Sequence, residues 1–173
     1  MGRDKGTIID KNSKLVWAQK AALLFSEINI PSYISLRRDQ ENLYSNYFSK
    51  ELFIFDEETG IKGPMNGIIS AFKRFQKSDF FVVATDMVYL DSLAIKTILE
   101  SYILRKNTKI AFAYINSEKK VEPLCSVYTF HVSRLLGLNL KSLKEFFNVY
   151  AAEVEFVKSD ATIARKLESL NSL

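Results

Sequence analysis

Apolar positions along the chain switch repeatedly between helical and strand spacing, and the switches mark out the elements. Trp17, Ala21, Leu24 and Ile28 recur at helical intervals, which predicts an amphipathic helix over residues 15–28. Pro31 closes it, because the residue before a proline avoids the helical region. Residues 32–37, Ser-Tyr-Ile-Ser-Leu-Arg, are rich in β-formers and predict a strand, with a further helix over 39–48. Leu52-Phe53-Ile54-Phe55 reads as a buried strand that ends in the polar loop Asp56 to Gly60. Gly63-Pro64 opens the next helix, since proline suits a first turn where its missing N–H is not needed, and Met65, Ile68, Ile69 and Phe72 line one face. Residues 80–84, Phe-Phe-Val-Val-Ala, are apolar on both faces, as expected of a central parallel strand, and Thr85-Asp86 follows at once. Asp91-Ser92 caps a long helix over about 92–105, with Ile95, Ile98, Leu99, Tyr102 and Ile103 on its inner side.

The remainder predicts strands over 109–115 and 123–130 and short helices over 132–137 and 141–148, the second capped near Ser142. An edge strand at Val154 to Val157 precedes a closing helix from residue 161, with Ile163, Leu167 and Leu170 on one face. Helix and strand alternate without repeat or linker. The expectation is one α/β domain over 1–173, with a mostly parallel sheet covered by helices on both faces. In such folds ligands bind beyond the carboxyl ends of the strands, which singles out Asp56, the Gly63 loop and Asp86.

Composition narrows the chemistry. The 47% apolar and 13% aromatic content belongs to a globular chain, and Phe53, Phe55, Phe80 and Phe81 read as core. A net charge of +4 without clustered Lys and Arg argues against a nucleic-acid face. One cysteine, Cys125, permits no internal disulfide and reads as core. With a single histidine, His131, which reads as a surface or strand-end residue, a His/Cys-rich zinc site and a His-based triad fall away. No run approaches the ~18 apolar residues of a membrane span, and no secretory leader is visible, so the expected setting is the cytoplasm.

Four stretches then act together. Met1-Gly2-Arg3-Asp4-Lys5-Gly6 is similar to the end of the loop LAGGxSxRMGxDK of the molybdenum cofactor guanylyltransferase family. Gly63-Pro64-Met65-Asn66-Gly67-Ile68 resembles that family's GPLxGI, with Asp56 seven residues ahead of it where the family has an acidic residue. Phe81-Val82-Val83-Ala84-Thr85-Asp86-Met87 resembles its strand ending in Cys-Asp-Met or Cys-Asp-Thr, and Glu122 to Tyr128 its xPLxALY strand. Order and spacing match from Met1 to about residue 150.

The resemblance implies a Rossmann-like nucleotidyltransferase that moves GMP from GTP to Mo-molybdopterin and releases pyrophosphate, with transient contacts to proteins that handle the cofactor. Charge builds on the phosphates in such a transfer, so cations matter more than a protein nucleophile. The carboxylate of Asp86, after a buried strand, suits Mg²⁺, which keeps several waters and takes few protein ligands. By resemblance, Lys5 contacts phosphate, and Gly2 and Gly6 let backbone approach it. Asp56 lies near the guanine and ribose, and Gly63, Pro64 and Gly67 shape the pocket. Arg3 falls at a variable position and receives no role.

Two departures stand out. The family's first strand, in the middle of its sheet, and the first half of its glycine loop have no counterpart here, so the expectation is a start codon further upstream, readable in the adjoining DNA. The family's Asn-x-Asn-Thr-Pro-Glu-Asp stretch is replaced by Val157-Lys158-Ser159-Asp160-Ala161-Thr162, where Asp160 either replaces a metal-side group or, the favoured reading, caps the last helix. Two alternatives remain: a nucleotidyltransferase using CTP or another acceptor, and a non-catalytic homologue that binds a partner.

Overall fold

The computed structural model describes residues 4–57, 60–61, 63–135, 140 and 142–167. Helix α1 (Trp17–Ser26) leads to strand β1 (Ile34–Leu36), a short helix α2 (Glu41–Tyr44) and strand β2 (Phe53–Phe55). Helix α3 (Pro64–Arg74), strand β3 (Phe80–Val83), helix α4 (Ser92–Arg105) and strands β4 (Ala111–Ile115) and β5 (Val121–Tyr128) follow. Helix α5 (Leu143–Val149), strand β6 (Val154–Lys158) and helix α6 (Ala161–Lys166) complete the described elements. The helix expected over 132–137 is a 3-10 turn over Phe130–Arg134 as far as it is described; Leu170 and part of 136–141 lie outside the described residues.

Strand β5 pairs antiparallel with both β3 and β4, while β4 pairs parallel with β6. Three strands of this four-stranded sheet therefore run one way and β5 alone runs back. The reversal is local in origin. Residues 116–120 form a tight turn in which Lys119 takes φ +59° and the Asn116 side chain accepts from the Glu118 and Lys120 amides, so β4 and β5 become a hairpin.

Successive side chains on a strand point to opposite faces, and the core divides accordingly. Ala111, Ala113, Tyr128 and Val154 meet α3 and α5 on one side, through Met65, Ile68, Phe72, Phe146 and Phe147. Phe112, Tyr114, Cys125 and Val127 meet Phe25 of α1, Ile95 and Ile98 of α4 and Ile163 of α6 on the other. The result is three layers, helices over both faces of a mostly parallel sheet.

The sheet is broken in one place. β1 and β2 form their own two-stranded parallel sheet, and among the described residues no ladder joins it to the four-stranded one. The break separates β1 and β2 from β3, the end strand of the four-stranded sheet. One expectation is corrected by it: β3 is not a fully buried central strand. Among the described residues it pairs with β5 alone, and all four of its residues are half-buried. What spans the break is side-chain packing. Tyr33, ahead of β1, lies 4.8 Å from Phe75, which lies 6.2 Å from Phe80 at the start of β3. Arg74, at the end of α3, donates to the carbonyls of Phe53 and Glu51 and so ties that helix to the two-stranded side.

Candidate active site

The site forms at the carboxyl ends of β1, β2 and β3, and the residues that cross the break above it are Asp4 to Thr7. Lys5–Thr7 make a 3-10 turn. The Asp4 carboxylate starts it by accepting the Gly6 amide at 3.0 Å, and the Asp4 carbonyl takes the Thr7 hydroxyl at 3.0 Å. From this turn the Lys5 ammonium reaches Asp86, two residues beyond Ala84, with Nζ 3.1 Å from Oδ2. Lys5, expected at phosphate, and Asp86, expected at the metal, thus form an ion pair, with the Asp86 side chain 17% exposed. Among the described residues no three His, Cys, Asp or Glu converge as a preformed metal cage. A site offering one or two carboxylates is compatible with magnesium, which retains most of its water.

A second carboxylate stands beside Asp86. Val83 pairs with Cys125 and the Ala84 amide donates to the Leu124 carbonyl before the chain turns, and from that turn the Asp86 charge is felt at Glu122 of β5. Burial pushes the Glu122 carboxyl above its ordinary range, the Leu124 amide works against that, and the Asp86 charge adds to the rise. The residue stood inside a quoted motif, but only the antiparallel pairing of β3 with β5 reveals its neighbour.

On the two-stranded side, the Asp56 amide donates to the Leu36 carbonyl at 2.8 Å, which extends the ladder and holds Asp56 at the mouth of the sheet. Burial raises the Asp56 carboxyl, and the nearby Arg37 charge opposes the rise. Arg37, engaged with Asp39 at 3.0 Å, also feels the charges of Asp4 and Asp56. A line of alternating charge therefore runs from Asp56 through Arg37 and Asp4 to Lys5 and Asp86.

The glycines divide by use. Gly63 caps α3 with φ +77° and ψ −162°, and a Cβ there would meet nothing within 4 Å. Pro64 follows as the first helical residue, and Asn66 and Ser70 hold Glu57 by its carbonyl and amide, each at 2.9 Å. At Gly67 the room is already filled: a Cβ would fall 2.3 Å from the Ser35 hydroxyl and 3.5 Å from Asp56 Oδ1, so this glycine serves the packing of α3 on β1. Gly6 is likewise packed, against Tyr44 and Thr85. Gly2 lies outside the described residues. Asp160 caps α6 by accepting the Ile163 amide at 2.8 Å.

The described arrangement offers a cation and carboxylates at the end of β3 and a helix N-terminus opened by glycine, all at one edge of an α/β sheet. Comparison with known proteins bears on the fold and the family. No curated protein sequence matches the chain. The protein from Archaeoglobus fulgidus named molybdopterin-guanine dinucleotide biosynthesis protein A superposes with a TM-score of 0.72 at 17% identity, covering 98% of this chain and 85% of that one. A 4-diphosphocytidyl-2C-methyl-D-erythritol synthase from Anaerococcus prevotii gives 0.63 at 11% identity, covering 96% and 88%. A Mycobacterium tuberculosis protein in complex with manganese gives 0.60 at 12%, covering 96% and 92%. At these identities the likeness establishes the fold, and the sequence family is established separately. Residues 1–154 match the family model described as the MobA-like NTP transferase domain, and the chain belongs to that family of nucleotidyltransferases.

Proposed function

We propose that this protein transfers GMP from GTP to Mo-molybdopterin. An oxygen of the acceptor forms a bond to the α-phosphorus, the α–β anhydride bond breaks, and pyrophosphate leaves. The observation that carries the reading is the Lys5–Asp86 pair at the end of β3. A cation and a carboxylate held together before ligand arrives are suited to part when it does, Lys5 to the phosphates and Asp86 to a divalent metal. Asp86 would hold magnesium, with the Glu122 charge close by, and the metal would offset charge on the phosphate oxygens. Lys5 contributes the same kind of stabilisation from the protein side. Asp56 and the start of α3 border the nucleoside. The similarity to a protein named for molybdopterin-guanine dinucleotide biosynthesis supports the acceptor, and the manganese-bound neighbour supports a divalent ion. Among the described residues no helix is long and apolar enough to cross a membrane.

Asp86→Asn tests the metal assignment. It should abolish GTP turnover while leaving the melting temperature close to that of the parent; retained turnover rejects the role. A second reading, CTP as donor, is favoured by the likeness to a diphosphocytidyl synthase. Melting in the presence of Mg²⁺ with GTP, CTP, ATP or UTP separates the two, because the donor that binds the folded state raises the midpoint.

A further inference from the structure

We propose that Asp4 is the positioning residue that sets Lys5 for phosphate, acting through a latch with Tyr44 and Gln40; this rests on the nucleotidyl-transfer reading above. Asp4 spends its carboxylate on the protein: Oδ1 accepts the Gly6 amide at 3.0 Å and the Tyr44 hydroxyl at 2.8 Å, and Oδ2 accepts Gln40 Nε2. Tyr44 has little freedom. It is 4% exposed, packed in the cluster with Ala18, Leu36 and Phe53, and stacked 6.4 Å from Phe48.

The next turn fits around that hydroxyl. A Cβ at Gly6 would come within 2.1 Å of the Tyr44 oxygen and 3.2 Å of Thr85 Oγ1. The turn is thus wedged between α2 on one side of the broken sheet and the end of β3 on the other. Lys5 sits between two anchored neighbours, so its backbone is fixed before the side chain reaches for an anion. A free lysine loses substantial rotamer entropy on binding, and fixing its root in advance reduces what remains to be ordered. None of the hydrogen bonds of the latch is made to Asp86, so its effect passes through Lys5.

The test measures calorimetric affinity of the full chain for Mg·GTP and for GMP. Lys5→Ala should weaken GTP about tenfold, the scale of one lost charge-assisted hydrogen bond, and GMP by less than about twofold. Asp4→Asn should reproduce that selective loss, and in the Lys5→Ala background it should add nothing, since both act on one contact. Tyr44→Phe should give the same selectivity at smaller size, and it carries the test should Asp4→Asn fail to fold. Equal weakening of GTP and GMP, or losses that add in the double variant, would reduce the latch to a structural role and overturn the proposal. So would unchanged GTP affinity in Asp4→Asn and Tyr44→Phe where Lys5→Ala weakens it. An unchanged GTP affinity in Lys5→Ala itself would instead remove the phosphate role of Lys5, and the proposal with it.

Discussion

Gly63 is the residue at which backbone conformation alone sets the cost of change. Its φ of +77° with ψ −162° belongs to a region essentially reserved for glycine, and an added Cβ would touch nothing. Gly63→Ala should therefore lose about 1–3 kcal/mol in urea unfolding, all of it conformational strain. A loss below measurement would mean that the start of α3 relaxes to another geometry. Asp56 and Asp86 were legible because they end or closely follow apolar runs, and Gly63 because Pro64 follows it; each is a local property of sequence. The partners of Asp4 were not. Gln40 and Tyr44 lie 36 and 40 residues away, and no spacing rule joins a terminal aspartate to a tyrosine on a helix the chain has yet to form. The same applies to Glu122, which feels the Asp86 charge only because β3 pairs with β5.

At the scale of elements, Tyr102 of α4 shows how an apolar stripe can carry polar work. The sequence places it on the inner face of its helix, and there its hydroxyl donates to Asp79 Oδ2 at 2.6 Å, while Asp79 Oδ1 accepts the Phe130 amide at 2.8 Å. One carboxylate thereby joins the end of α4, the start of β3 and the segment after β5. Burial, with the Asp79 bond behind it, pushes the Tyr102 phenol from 10.0 up to about 12. The folded state holds this proton more tightly than the unfolded one. The contribution is therefore full below pH 10 and lost as pH rises through 12. Melting temperature between those values should fall more steeply for the parent than for Tyr102→Phe; parallel curves would show the bond to be inconsequential. Strand β3 teaches a related lesson. Its run Phe80 to Val83 reports two covered faces, correctly, but side-chain pattern carries no information about how many neighbours pair along the edges. That is why its half-buried state and single partner were not readable.

At the scale of the molecule, the alternation of elements read from the sequence holds, while the break between β1 and β3 belongs to strand pairing, which side-chain pattern does not record. The two-stranded sheet rests on a small cluster, Ala18, Leu36, Tyr44 and Phe53, whereas the four-stranded one has large clusters on both faces. Two strands alone are marginal in water. Amide exchange should therefore open Ile34–Leu36 and Phe53–Phe55 at lower free energy than Ala111–Ile115; equal protection would mean that α3 welds both sheets into one cooperative unit.

The break has a consequence for what affinity means in this protein. Arg37, Asp56 and Gly63 belong to one bank, Asp86 and Glu122 to the other, and Asp4 to Thr7 bridge them. Under the proposed function, a nucleotide laid across all three would act as a rivet as well as a substrate. Its dissociation constant would then be the intrinsic one divided by whatever fraction of molecules has the banks aligned in advance. On that reading, substitutions at Tyr33, Phe75 or Phe80, whose rings pack across the break, would weaken nucleotide binding without touching the ligand.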